Sequence, residues 1–301
     1  SRPMDLPGLA VDGRRVLSSN DALTLDRVPP SILVVGGGVV GCEFAHIFGA
    51  LGAQVTVVEA LDRLLPLPSV DAACSKVLQR EMKKRRLRFM THRTVQSISE
   101  TQEGLRVVIG PSPFNETPTA KEKEPVEVTV DTVLVAVGRT PNTDSVGLEQ
   151  TRVELDERGW VKTDDRMQTA DPAIFAVGDV LGPSRVMLAH AASAEALVAA
   201  DNALGGNRRM NYHAVPGAIF TSPEVATVGL QRNGAGANQG AYNRAMDRNG
   251  DGAVSRAEYV AGASLWFERM DRDGNGVLTA ADFGRNARGA GQGRGLRWNN
   301  G

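Results

Sequence analysis

Residues 32–41 read Ile-Leu-Val-Val-Gly-Gly-Gly-Val-Val-Gly. Four apolar residues without alternation form the pattern of a parallel strand covered on both faces. They end in a G-x-G-x-x-G made by Gly36, Gly38 and Gly41. Residues 42–51 continue with helical apolar spacing, and Val55-Thr56-Val57-Val58 reads as a second strand. Together they make one β-α-β unit with a glycine turn at its first junction. At that position each glycine has a task. Gly36 permits the tight turn, Gly38 lets backbone approach a pyrophosphate, and Gly41 lets helix and strand pack closely. The phosphates would sit at the helix N-terminus, where free N–H groups favour negative charge.

Glu59 ends the second strand, 21 positions after Gly38. An acidic side chain there can accept hydrogen bonds from an adenosine ribose 2′-OH and would repel a 2′-phosphate, so the expected cofactor is NAD rather than NADP. The competing account is a glycine-rich packing turn that binds nothing.

Working outward, residues 1–30 are rich in Pro, Asp and Gly and read as an irregular lead-in. Residues 71–82 look helical, and the basic run 83–88 (Lys-Lys-Arg-Arg-Leu-Arg) suits a solvated helix C-terminus better than a targeting patch. Strand candidates follow at 95–98, 105–109 and 126–137. Between the last two, the polar and proline-punctuated stretch 110–125 is expected to be a mobile hairpin loop. Residues 173–177 look like a strand, 190–204 like an Ala-rich helix, and 215–228 begins strand-like.

Residues 32–66 resemble the NAD-binding segment of the dihydrolipoamide dehydrogenase family, a class I pyridine nucleotide-disulfide oxidoreductase family. Four further stretches follow in that family's order: 133–143 (VLVAVGRTPNT), 174–180 (IFAVGDV), 186–195 (VMLAHAASAE) and 215–230 (VPGAIFTSPEVATVGL). The resemblance covers residues 1 to about 230. It implies that Gly36, Gly37, Gly38, Val39, Val40, Gly41, Cys42 and Glu43 wrap the dinucleotide, with Glu43 near the nicotinamide ribose and Val95 and Gly138 lining the same site. It further implies that Asp179 bonds the ribityl chain of FAD and that Met187, Leu188, Ala189 and His190 pass near the flavin ring. Plainer accounts are a helix or turn cap for Asp179 and an ordinary helix residue for His190. The family passes electrons from a dithiol through a cysteine pair and FAD to NAD, in a homodimer with a lipoyl substrate.

That chemistry requires a C-x-x-x-x-C pair. The only cysteines, Cys42 and Cys74, lie far apart in sequence, and both are expected to be packing or surface residues. The first FAD-binding glycine motif is absent, and Ser1 stands where a full-length chain would carry Met, so the N-terminus is expected to be processed, cropped or lost. Residues 215–230 open the family's dimerisation domain, but the catalytic His is not found after them. His213 precedes that segment and reads as a loop histidine. The expectation is a fragment that retains the NAD site and is inactive alone, with apolar surface of the flavin-side segment exposed.

A second module begins near Asn233. Residues 247–258 supply Asp247, Asn249, Asp251, the Ala253 carbonyl, Ser255 and Glu258, with Gly252 at the turn, which is the ligand spacing of an EF-hand calcium loop. Residues 271–282 repeat it with Asp271, Asp273, Asn275, the Val277 carbonyl, Thr279 and Asp282. Asp282 is one methylene shorter than Glu, so the second site is expected to be weaker for Ca²⁺ and more open to Mg²⁺. The pair resembles short bacterial EF-hand proteins.

The fold expected is therefore α/β: a Rossmann-like NAD-binding domain with a remnant of an FAD domain, plus a small all-α EF-hand pair. The division is 1–30 lead-in from the FAD domain, 31–142 NAD domain, 143–208 C-terminal FAD-domain segment, 209–232 start of a dimerisation domain, 233–287 EF-hand pair and 288–301 disordered tail. A formal net charge of −1 over 301 residues offers no field for nucleic acid or anionic membrane. Two cysteines, no membrane-length apolar run and no signal peptide point to the cytoplasm. The reading from a different class is a calcium-binding EF-hand protein whose NAD-binding unit is a non-catalytic scaffold.

Overall fold

The computed structural model describes residues 1–6, 8–212 and 215–228. The chain opens with two short strands, β1 (Arg2–Pro3) and β2 (Val16–Leu17), and one turn of helix, α1 (Ser19–Ala22). Ser18 and Asp21 close that turn with a reciprocal capping box. The β-α-β unit follows as β3 (Ser31–Val35), α2 (Val39–Ala50) and β4 (Gln54–Val58). Helix α3 (Ala72–Lys84) and β5 (Arg88–Met90) extend the same pattern. The Asp71 side chain caps α3 by accepting from the Ala73 N–H, and Lys83 and Lys84 occupy its last turn, where the dipole favours cations.

An antiparallel excursion comes next: β6 (Arg93–Thr101), β7 (Gly104–Pro111), the short helix α4 (Ala120–Lys123) and β8 (Val126–Val130). The chain then returns through β9 (Thr132–Val135) to β10 (Arg139–Thr140), which pairs with β1. The central sheet is parallel throughout, in the order β2-β9-β3-β4-β5. From β3 the chain steps outward to β4 and β5, then crosses back to place β9 on the other side of β3. An open parallel sheet has its ligand crevice at such a reversal, outside the strands' carboxyl ends.

Both faces of this sheet are covered, which explains the unbroken apolar runs. Ile32, Val34, Val55, Val57 and Leu134 pack with Phe44 and Phe48 of α2 and Leu78 and Met82 of α3. Leu33, Val35, Val58, Val133 and Val135 face the other way, against Val95, Leu105, Val107 and Ile109 of the antiparallel sheet. Each such enclosed aliphatic side chain stabilises the fold by roughly 1.5–3 kcal/mol.

Beyond β10 the chain is largely irregular until α5 (Ala189–Ala203) and the hairpin of β11 (Pro216–Ile219) and β12 (Val225–Val228). Four expectations change. The run 126–137 is two strands in different sheets. They part at Asp131, whose carboxylate accepts from the N–H and hydroxyl of Ser31, 3.0 and 2.6 Å away, and so ties β9 into the parallel sheet. The stretch 110–125 is ordered around α4, with a capping box between Thr119 and Glu122. Residues 173–177 form only the isolated Gln168–Phe175 bridge, because no neighbouring strand among the described residues extends it into a ladder. Val16 and Leu17 of the lead-in are buried and join the sheet's edge.

Candidate dinucleotide-binding site

The turn after β3 is shaped by its glycines in two distinct ways. Gly36 has φ +104°, and a Cβ there would lie 2.4 Å from the Ala136 carbonyl oxygen on β9's continuation. A Cβ on Gly41 would lie 1.9 Å from the Gly36 carbonyl oxygen. Both glycines are therefore demanded by the fold itself. Gly38 is not: it has φ −74°, and a Cβ added there meets nothing within 4 Å. Helix α2 starts at this point with Gly38 as N-cap and no side chain bonded to its first N–H groups. Val39 and Val40 form its first turn. The result is a cradle with space in front of uncommitted donors, at the crevice between β3 and β9, and it suits a phosphate.

Glu59 follows β4 directly and is buried, at 6% exposure. Its Oε2 accepts from the Gly37 N–H at 2.6 Å and its Oε1 from the Leu61 N–H at 2.8 Å. Each carboxylate oxygen can accept twice, so one acceptor position on each remains for a ribose hydroxyl. The backbone is equally fixed. Glu59 N–H donates to Met90 O at 2.8 Å, and Arg93 N–H donates to Glu59 O at 3.0 Å.

Cys42 is enclosed under the turn, with its thiol 3.3 Å from the Gly37 carbonyl oxygen. Burial pushes that thiol up to about 12, and the charges of Glu59 and Glu43 add to the effect. It is a packing group and not a nucleophile. The half-buried Cys74 thiol is also raised, chiefly by burial and then by Asp71. Glu43, on α2, accepts from the Phe220 N–H at 2.8 Å through Oε1. Val95 is buried beside a bulge in β6. Gly138, at φ +137°, accepts from the Met4 N–H at 3.0 Å and continues the strand whose residues 136–137 face Gly36.

The residues expected near a flavin gather elsewhere. Asp179 lies in the 3-10 turn Gly178–Ser184 and accepts from the Ser1 hydroxyl at 2.7 Å, with Arg139 Nε at 3.9 Å. The preceding Gly178 N–H donates to the buried Glu195 at 2.6 Å, and Glu195 also accepts from the Tyr212 hydroxyl at 2.8 Å. Met187 and Leu188 lead into α5, which begins at Ala189 and His190; His190 Nε2 donates to the Pro216 carbonyl at 2.7 Å. Leu61, Arg93 and Phe220 have no signature in the sequence, because they act through backbone N–H groups that any residue but proline supplies. The expected calcium loops 247–258 and 271–282 and His213 lie outside the described residues. Among the described residues no cluster of three His, Cys, Asp or Glu could hold a metal ion, and no helix is long and apolar enough to cross a membrane.

A family model described as pyridine nucleotide-disulphide oxidoreductase matches residues 1–196. An EF-hand model matches 244–261 and 263–285. Dihydrolipoyl dehydrogenase 2 of Haloarcula marismortui is 43% identical over 236 residues, which is 78% of this chain and 47% of that protein. Dihydrolipoyl dehydrogenase of Chlamydia pneumoniae is 38% identical over 230 residues, 76% of this chain and 46% of its own. Among solved structures, LpdA of Mycobacterium tuberculosis superposes with a TM-score of 0.66 at 30% identity, covering 76% of this chain and 46% of that one. The HOCl-induced flavoprotein disulfide reductase RclA of Escherichia coli gives 0.64 at 26% identity, covering 77% and 49%. The chain thus spans about half the length of the curated relatives it matches.

Proposed function

The chain belongs to the pyridine nucleotide-disulphide oxidoreductase family, and from that premise we propose that it carries the NAD-binding half of a flavoenzyme of dihydrolipoamide dehydrogenase type. The observation that carries the proposal is Gly38, a glycine the fold does not require, at the mouth of an uncapped helix and one loop away from a fixed carboxylate. Backbone N–H groups of residues 38–40 hold the pyrophosphate, Glu59 accepts from the adenosine ribose, and Glu43 takes the nicotinamide ribose. Val95 and Gly138 line the same dinucleotide site. Asp179 and residues 187–190 are the chain's contribution to FAD, which supplies two-electron transfer when bound.

In the whole enzyme the electrons come from a lipoyl dithiol across a homodimer. Cys42 and Cys74 do not form the required C-x-x-x-x-C pair, and the fully enclosed Cys42 is held protonated. This chain by itself therefore binds dinucleotide without turning over. The division into a flavin-side lead-in, NAD domain, flavin-side segment and EF-hand module, and a cytoplasmic location, belong to the same proposal. Isothermal titration with NADH followed by an absorbance scan tests it: NADH binding with no flavin spectrum and no dithiol turnover is expected. A chain that ignores NADH sinks it.

The EF-hand match favours a second reading, a calcium-binding protein in which the NAD unit is scaffold. Ca²⁺-dependent partner binding with no NADH affinity would select that one.

A further inference from the structure

The Arg93 side chain has no role in the dinucleotide reading, yet the residue is only 6% exposed. Its guanidinium donates to two backbone carbonyls, Nη1 to Glu124 O at 2.6 Å and Nη2 to Lys121 O at 2.7 Å. Burying a guanidinium is costly unless its donors find acceptors, and here charge-assisted bonds engage both terminal nitrogens, one with a carbonyl inside a short helix and one with the carbonyl of its C-cap. The segment so held, residues 112–124, joins β7 to β8.

The other end of the segment is tied to the same place. Ser112, also buried, donates its N–H to His92 O at 3.0 Å; His92 N–H donates to Leu61 O at 2.9 Å; and Leu61 N–H holds Glu59 Oε1 at 2.8 Å. Arg93 N–H completes the ring by donating to Glu59 O. Both ends of 112–124 are thus fastened to the rim formed by residues 59–61 and 92–93. That rim stands at the carboxyl ends of β4 and β5, where an open α/β sheet receives its ligand.

We propose that Arg93 is a positioning residue that pins segment 112–124 as a wall beside the adenosine half of the dinucleotide crevice, and so sets affinity for that half. The inference rests on the reading of Glu59 as the ribose acceptor. Its physical basis is preorganisation. A segment already fixed on folding loses no freedom when ligand arrives, whereas a released one must be ordered at the expense of affinity.

The test compares ADP-ribose with reduced nicotinamide mononucleotide on the full chain, by direct titration and by competition against NADH fluorescence, together with hydrogen exchange across 118–124. Arg93→Met is expected to release those amides and weaken ADP-ribose about tenfold, leaving the mononucleotide unchanged. Arg93→Lys, which keeps the charge and fewer donors, should recover part of the loss. A variant with residues 113–123 replaced by a two-residue Asn-Gly turn should match Arg93→Met for ADP-ribose, and it decides the matter if Arg93→Met does not fold. Unchanged ADP-ribose affinity with the segment released or removed overturns the proposal, as does an equal loss for both halves. A wild-type chain that binds neither NADH nor ADP-ribose overturns the dinucleotide reading and this inference together. Wild-type binding that is insensitive to all three changes overturns this inference alone.

Discussion

Gly37 donates its backbone N–H to the carboxylate of Glu59 at 2.6 Å. The acid expected to select the cofactor therefore also holds the turn expected to bind its phosphates. Charge and shape at the site are not independent, and substitutions at residue 59 act on both.

Glu59→Gln sets an amide N–H₂ against one of two backbone donors, Gly37 or Leu61. A buried donor left unpaired costs about 1–3 kcal/mol, so the melting temperature should fall by a few degrees together with NADH affinity. Glu59→Arg removes the repulsion of a 2′-phosphate and should shift the NADH:NADPH affinity ratio toward NADPH, while weakening both because the turn loses its anchor. Titration with the two cofactors beside a thermal melt checks this. An unchanged ratio would dismiss the ribose contact.

The glycines separate folding from binding. Gly41→Ala drives a methyl into the Gly36 carbonyl and should prevent stable folding. Gly38→Ala adds a methyl where the protein has room and should cost only about 0.5–1 kcal/mol, the loss expected when alanine replaces glycine at an N-cap. It should nevertheless weaken NADH more than tenfold by standing where the pyrophosphate approaches. Circular dichroism melts and calorimetric titration of both variants suffice. Full NADH affinity in a folded Gly38→Ala would remove the main support for the proposed function.

The β-α-β unit and Glu59 were legible because period, glycine spacing and an acid at a strand end are local features. What Glu59 bonds was not, since its partners are backbone groups positioned by the folded loop. The run 126–137 carries one apolar pattern, and only the pairing of Asp131 with Ser31, a hundred residues away, divides it between sheets. Residues 173–177 have strand-like composition, but a strand needs a neighbour, and pairing is not a local property. Arg93 was hidden for the same reason: a buried arginine serving carbonyls looks in sequence like any surface arginine.

Cys42 gives a pH prediction with a definite sign. Its thiol has an ordinary value of 9.0 and is pushed up to about 12 in the fold, chiefly by burial. Below about pH 9 both states are protonated and its contribution is complete. As pH rises the unfolded chain ionises first, so stability falls between pH 9 and 12. Tyr212, whose hydroxyl is raised above 10.0 by burial and by Glu195, acts in the same direction. Denaturant melts at pH 8, 10 and 11 should show the decline, and Cys42→Ala should lessen it. At pH 8 native protein should leave Cys42 unmodified by iodoacetamide; rapid labelling would contradict its enclosure.

The second expected calcium loop ends in Asp282 where the first ends in Glu258. A carboxylate one methylene longer reaches bidentate geometry with less strain and favours Ca²⁺ over Mg²⁺. Asp282→Glu should tighten the weaker of two calcium-binding steps and lower Mg²⁺ competition there. An unaltered calcium titration would show that position 12 does not limit that site.

The Phe220 ring is exposed, yet its N–H is held by Glu43, and the neighbouring Ile219 and Val225 are buried with α2 and α3. The hairpin's place is thus set by apolar packing and its amide by one carboxylate. Glu43→Ala should leave the hairpin packed while raising exchange of the Phe220 amide about tenfold, and it should weaken NADH if Glu43 serves the nicotinamide ribose. The wild-type response to NADH then discriminates two arrangements. With Oε1 on Phe220 and Oε2 on the ribose, cofactor fixes the carboxylate and protects the amide further. If the carboxylate turns away to reach the ribose, NADH exposes the amide, and by linkage anything that grips the hairpin would oppose NADH. Because Oε1 already has its partner at 2.8 Å and the second oxygen of a carboxylate can accept while the first is engaged, added protection is the expected result.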